Sequence, residues 1–240
     1  MSSSNRPAVV ALAIVAWLAG ALPCLAQNTQ YAQMATPSQY LEPGRKSEIA
    51  LARSAAPPSI SQNASVLVLT LHGYVEAAKG TNGFTCLVER AWMKHFEDPQ
   101  FWNWHARAPV CYNAAASGSI LPYTIFRSNL VLKGITKDRL LDRLKAAIAA
   151  KQLPALEPGA MAYMMSKRQY LNDMSSPSWH PHVMFYAPAS AAANGGASYG
   201  ANLSGSPVVF DTYGGTPEPW TIFFVPVWQW SDGSPATMPM

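Results

Sequence analysis

Tyr74-Val75-Glu76-Ala77-Ala78-Lys79-Gly80-Thr81-Asn82-Gly83-Phe84-Thr85-Cys86-Leu87-Val88-Glu89 is the stretch on which the fold turns. Asn82-Gly83 stands between two apolar segments. Asn-Gly in that setting is a strong local signal for a β-hairpin, because both central residues of the favoured turn need positive φ. The hairpin reading pairs residues 74–79 with 84–89. It puts Phe84, Cys86 and Val88 on one face and Thr85, Leu87 and Glu89 on the other. A helix starting at Thr85 competes, since Phe84, Leu87, Val88, Ala91 and Trp92 also recur at helical spacing. The turn chemistry accounts for Gly80 and Gly83 as well, and so favours strands.

Upstream, residues 66–71 form a β-branched and leucine-rich run that reads as a buried strand. Residues 45–56 are good helix formers stopped by Pro57-Pro58. Residues 27–43 are polar and read as loosely ordered until they meet a core. Downstream, residues 117–134 are apolar but carry Pro122, and periodicity assigns them no type. Residues 136–151 predict a helix: Thr136 can cap it, Asp138 suits the first turn, and Leu140, Leu141, Leu144 and Ile148 line one face. Three short strands are expected over 160–166, 182–187 and 220–228. An Ala-, Gly-, Ser- and Asn-rich surface loop over 187–207 separates the last two, and residues 231–240 read as a frayed tail. The expected fold class is α+β: a mainly antiparallel sheet of about five strands with two or three helices, in a single domain over 44–230.

The chain has 240 residues, 12% of them charged and 49% hydrophobic, with 20 prolines. An ordinary soluble domain carries about 25% charged residues, so the surface is neutral in character. A formal charge of +4 without a Lys/Arg cluster argues against a nucleic-acid partner. At the N-terminus, residues 1–6 are polar with Arg6, residues 8–22 are an apolar run, and Pro23-Cys24-Leu25-Ala26 precedes Gln27. That layout predicts a secretory signal over 1–26, cleaved before Gln27, and a secreted or periplasmic protein with no stable membrane span in its mature form. A lipid on Cys24 and an uncleaved anchor are the rival readings. Asn63-Ala64-Ser65 and Asn202-Leu203-Ser204 are glycosylation sequons, of use only in a eukaryotic source.

After loss of Cys24, Cys86 and Cys111 are the remaining cysteines. An exported chain with two cysteines predicts one disulfide. His180-Pro181-His182 places two imidazoles on one side of an extended segment, where both can reach one divalent metal; His72, Glu76 or Glu89 would supply a third ligand. The favoured reading of the two histidines is that they flank a strand and hydrogen-bond to nearby loops. Trp102 and Trp104 in an irregular segment, and Trp179 beside the His pair, are candidates to hold a ligand, or to pack the core. Phosphate loops, dinucleotide fingerprints and the Gly-x-Ser-x-Gly elbow are absent from the sequence.

Three segments in order carry a family likeness: Gly83-Phe84-Thr85-Cys86-Leu87-Val88, then Leu156-Glu157-Pro158-Gly159-Ala160, then His182-Val183-Met184-Phe185-Tyr186. They resemble the NlpC-type, papain-like cysteine peptidases of bacterial cell walls. The resemblance implies Cys86 as nucleophile, His182 as general base and Asn194 as the orienting group. The chain has Thr85-Cys86-Leu87-Val88 where the family has Asp-Cys-Ser-Gly, and Ala160 where the family has Asp. The His-x-His segment also resembles that of JAMM-type metallopeptidases, with Ser190 at the serine position and Ala193 in place of the metal-binding Asp. The leading expectation is a non-catalytic binding protein for an envelope or extracellular ligand. A cell-wall cysteine hydrolase and a metal-binding protein or metallohydrolase are the alternatives.

Overall fold

The computed structural model describes residues 29–174, 176–210 and 216–237, so the expected signal over 1–26 lies outside the described residues, as do 238–240. Helix α1 (Arg45–Arg53) ends before the paired prolines, and Pro58 opens the short α2 (Pro58–Ser61) at a position where its missing N–H costs nothing. Strands β1 (Ser65–Thr70), β2 (Gly73–Ala78), β3 (Thr85–Glu89) and β4 (Ala108–Tyr112) follow. Then come α3 (Ala114–Ser119), α4 (Leu121–Leu132) and α5 (Lys137–Ala149), and finally β5 (Met161–Met164), β6 (His182–Pro188), β7 (Val209–Phe210) and β8 (Trp220–Pro226).

These strands form one sheet in the order β2-β1-β3-β4-β5-β6-β8-β7. The α+β class and single domain stand. The sheet is mainly antiparallel as expected, mixed by one parallel contact, and corrects the expectation in two ways: it has eight strands rather than about five, and the helices α1 to α5 exceed the two or three predicted. The parallel contact, β1 with β3, is short: Ser65 pairs with Thr85 and Val66 with Cys86. β4 escaped notice because it carries Pro109. That proline faces Val88 on β3, while β4 meets β5 only at Cys111 and Tyr112, so on the other side no ladder bond is lost at Pro109.

The hairpin reading also needs correction. β2 pairs with β1, not with β3, and the tight connection lies one turn earlier at Leu71-His72. Residues 79–84 instead pass over the end of β1. The Thr81 N–H donates to the Asn63 carbonyl at 2.8 Å and the Gly80 N–H to Ser65 Oγ at 2.9 Å. A Cβ on Gly80 would stand 2.1 Å from the Ser65 nitrogen, so this glycine is required by close approach of two backbones. Asn82 closes the turn locally, its Oδ1 accepting from the Phe84 N–H at 3.1 Å. The face assignment within β3 is as expected: Cys86 and Val88 join the core under α1, and Leu87 joins the core on the opposite face.

α4 explains why residues 117–134 had no legible period. Its buried side chains mix Thr124, Arg127 and Ser128 with Leu121, Tyr123 and Val131, so its inward stripe is interrupted by polar residues where a core helix is usually apolar. Pro122 sits in the first turn, where it is tolerated. α5 follows the prediction more closely, burying Leu140, Leu144 and Ala147; Thr136 is its N-cap residue, although its side chain makes no capping bond. Residues 29–43 are tied to the core. Tyr40 is buried, its hydroxyl donates to the Trp102 carbonyl at 2.9 Å, and its own carbonyl accepts from Arg90 Nε at 2.7 Å. The tail is tied as far as Ala236, whose N–H donates to the Trp228 carbonyl at 2.8 Å. No described helix is long and apolar enough to cross a membrane.

Candidate functional site

Cys86 and Cys111 stand directly opposite each other on β3 and β4 and form a disulfide, both fully buried. In this bonded state neither sulfur is a thiolate nucleophile. β4 and β5 lie between Cys86 and His182, and Asn194 is exposed in the irregular stretch after β6, so the trio implied by the cell-wall peptidase resemblance is not assembled. His182 opens β6 with its ring against Trp179 and Phe224, at 4.5 and 5.5 Å between centroids, and its Nδ1 is 2.7 Å from the His180 carbonyl oxygen. Burial lowers its pKa to about 4, against a smaller raising effect of that hydrogen bond. His72 sits at the β1–β2 turn, with four strands of the sheet between β2 and β6. Among the described residues, no group of three or more His, Cys, Asp and Glu is placed to hold a metal ion. Of the tryptophans, Trp102 is core, packed edge-on against Phe101 at 4.7 Å; Trp104 is half-buried against Tyr31; Trp179 lines a cavity.

That cavity brings together polar residues that sequence reasoning did not join. On β3, alternation carries Glu89 to the α4 side of the sheet along with Leu87. Glu89 Oε1 accepts two hydrogen bonds, from the Tyr112 hydroxyl at 2.6 Å and from Thr124 Oγ1 at 2.9 Å. Glu89 itself lines both chambers of the cavity. Burial raises the Glu89 pKa, opposed by the Tyr112 and Thr124 bonds and the more distant Arg127 charge. Burial, with the Glu89 charge next, holds the Tyr112 and Tyr186 hydroxyls protonated.

One turn along α4 from Thr124, Arg127 pairs with Glu218 at 3.0 Å, both side chains almost wholly buried. Arg127 also donates to the Lys94 carbonyl at 2.9 Å and lies over the Phe96 ring, 4.6 Å from its centroid. Two polar atoms of this pair, Arg127 Nε and Glu218 Oε2, are buried without a partner among the described residues. Orphaned buried polar atoms are uncommon and costly, so their presence in one cavity wall calls for an explanation.

The inner chamber, about 230 Å³, lies between Glu89, Arg127, Glu218 and a wall of Tyr112, Tyr186 and Trp220. An outer chamber of about 550 Å³, reaching Trp179 and Phe210, shares Glu89, Met93, Lys94, His95, Met164 and Phe224 with it. A largely apolar cavity with a few convergent polar groups, one with a perturbed pKa, has the general form of a small-molecule site. Of its polar groups, Glu89 had a readable signal: a glutamate on the same strand face as Leu87. Thr124, Arg127, Tyr186 and Glu218 had none, because their convergence depends on strands and helices far apart in sequence. Compared with models of known families, with curated proteins and with solved structures, the chain matches none.

Proposed function

We propose that this chain is an exported, non-catalytic binding protein that holds a small ligand in the two-chambered cavity above Glu89. The observation that carries the reading is the Glu89 carboxylate, held through Oε1 by the neutral donors Tyr112 and Thr124 in the wall shared by both chambers. A half-buried carboxylate with its charge unpaired costs stability unless something offsets it, and a ligand does so on binding. Trp179, the His pair's aromatic neighbour, lines the outer chamber, so one of the three candidate tryptophans belongs to this site. The buried Cys86–Cys111 bridge supports export, since disulfides persist in oxidising compartments.

Ligand-observed NMR with a library of small aromatic fragments tests the reading on the secreted full chain. Ile222 lines the inner chamber, and Ile222→Trp fills it. Bound fragments are expected to lose their signal in that variant while its fold, followed by circular dichroism, is retained. An absence of binders, or binders indifferent to the substitution, would refute the cavity as the site. Intact mass of the same material should begin at Gln27 and be two hydrogens short of the dithiol form. A chain starting at Met1 would overturn cleavage of the signal.

A further inference from the structure

We infer that the ligand of this cavity is an organic cation: an ammonium or amine head that meets Glu89, carried on an apolar or aromatic body. The inference rests on the cavity being the binding site and adds the charge of its occupant. It follows from pairing the charged groups around the cavity. Arg127 is matched by Glu218 at 3.0 Å, and Lys94 by Asp98 at 3.3 Å. Glu89 has only the neutral donors Tyr112 and Thr124 within hydrogen-bonding distance, and Arg127, whose charge acts on it from further away, is taken up by Glu218, so Glu89 forms no ion pair among the described residues. The orphaned acceptor Glu218 Oε2 and the orphaned donor Arg127 Nε are both sealed within that wall and offset one another in sign, so Glu89 decides the charge of the occupant. An anion would meet the Glu89 carboxylate, and a neutral polar ligand would leave its charge uncompensated.

The rest of the lining suits the remainder of such a molecule. Tyr112, Tyr186, Trp220 and Phe96 supply aromatic surface, and Met93 and Met184 supply adaptable apolar contacts. One ring already holds a cation, since the Arg127 guanidinium lies over Phe96. Aromatic walls with a carboxylate at one end favour a cation over a neutral isostere through ring quadrupole and charge together.

Isothermal titration calorimetry of the full chain with phenethylamine, phenethyl alcohol and phenylacetate isolates the head group at nearly constant size. The amine should bind about tenfold or more tightly than the alcohol, and the acid most weakly. In Glu89→Gln, whose side-chain oxygen still accepts from Tyr112 and Thr124, the amine's advantage should vanish while the alcohol's affinity changes less than about twofold. An alcohol that equals or exceeds the amine on the unsubstituted chain would overturn the inference, whether or not the variant folds. If none of the three binds but library fragments do and are lost in Ile222→Trp, the cationic class fails and the cavity reading survives. If no fragment binds either, both fail.

Discussion

His182 and Glu89 show how burial sets two titratable groups against each other in this protein. His182 is neutral when folded, with a pKa near 4, whereas an unfolded chain returns it to about 6.5. Its contribution to stability is therefore complete above pH 6.5 and is lost as pH falls from 6.5 towards 4, about 3 kcal/mol in all. His182→Leu removes the titration and keeps an apolar filler between Trp179 and Phe224. Urea midpoints at pH 7.5 and 4.5 should show the unsubstituted chain losing more stability on acidification than the variant. Equal losses would show that the ring is not buried as described. Glu89 works in the opposite sense. Its raised pKa makes the folded state less favourable at neutral pH, and protonation relieves that cost as pH falls. A group that costs stability yet sits at the centre of a cavity is the usual mark of a binding residue rather than a structural one.

At the scale of elements, the connection from β2 to β3 and the inward face of α4 are the two places where local signals misled. Gly80 and Gly83 look alike in the sequence, and both suit an Asn-Gly hairpin. In the fold only Gly83 has positive φ, while Gly80 lies against the Ala64–Ser65 backbone. Gly80→Ala should therefore destabilise the protein by about 1–3 kcal/mol, as an overpacked core substitution does. Thermal unfolding would measure it, and an unchanged or higher midpoint would show that residues 79–84 do not cross β1 as described. α4 was illegible for a different reason. Its core-facing stripe holds Thr124, Arg127 and Ser128, and the last accepts from Trp92 Nε1 at 2.9 Å. Hydrophobic periodicity assumes an apolar inner face, and a helix that lends polar side chains to a cavity breaks that assumption.

Over the whole molecule, the disulfide joins the two strands that anchor the cavity floor, β3 with Glu89 and β4 with Tyr112. Closing a loop of 25 positions stabilises by about 3.5 kcal/mol in the chain-entropy account. Reduction should lower the urea-derived stability by roughly that amount, and a fragment bound in the cavity should weaken in parallel as the Glu89–Tyr112 contact loosens. Unchanged stability on full reduction would contradict the bridge. The sheet itself has two unlike faces. One is sealed over β1, β3 and β4 by α1 with Val66, Val68, Cys86 and Val88. The other carries α3 to α5 and, towards β6 and β8, the cavity.

The amino-acid order by itself determined the features that depend on neighbours in the chain. Among these are the helix beginning at Arg45, the helix after Thr136, the strand alternation of residues 85–89, and the strands at 161, 182 and 220. The pairing of Cys86 with Cys111 was also legible, because setting Cys24 aside in the expected signal leaves one partner for each. Tertiary structure alone decided that β1 lies between β2 and β3, that Pro109 belongs to a strand, and that Tyr40 is sealed in the core. It also decided that Glu89, Tyr112, Thr124, Arg127 and Glu218 meet around one cavity. The physical reason is range. Turn chemistry and side-chain periodicity act over a few residues, whereas strand order and the convergence of buried charges are set by which non-local contacts bury apolar surface and satisfy polar groups together.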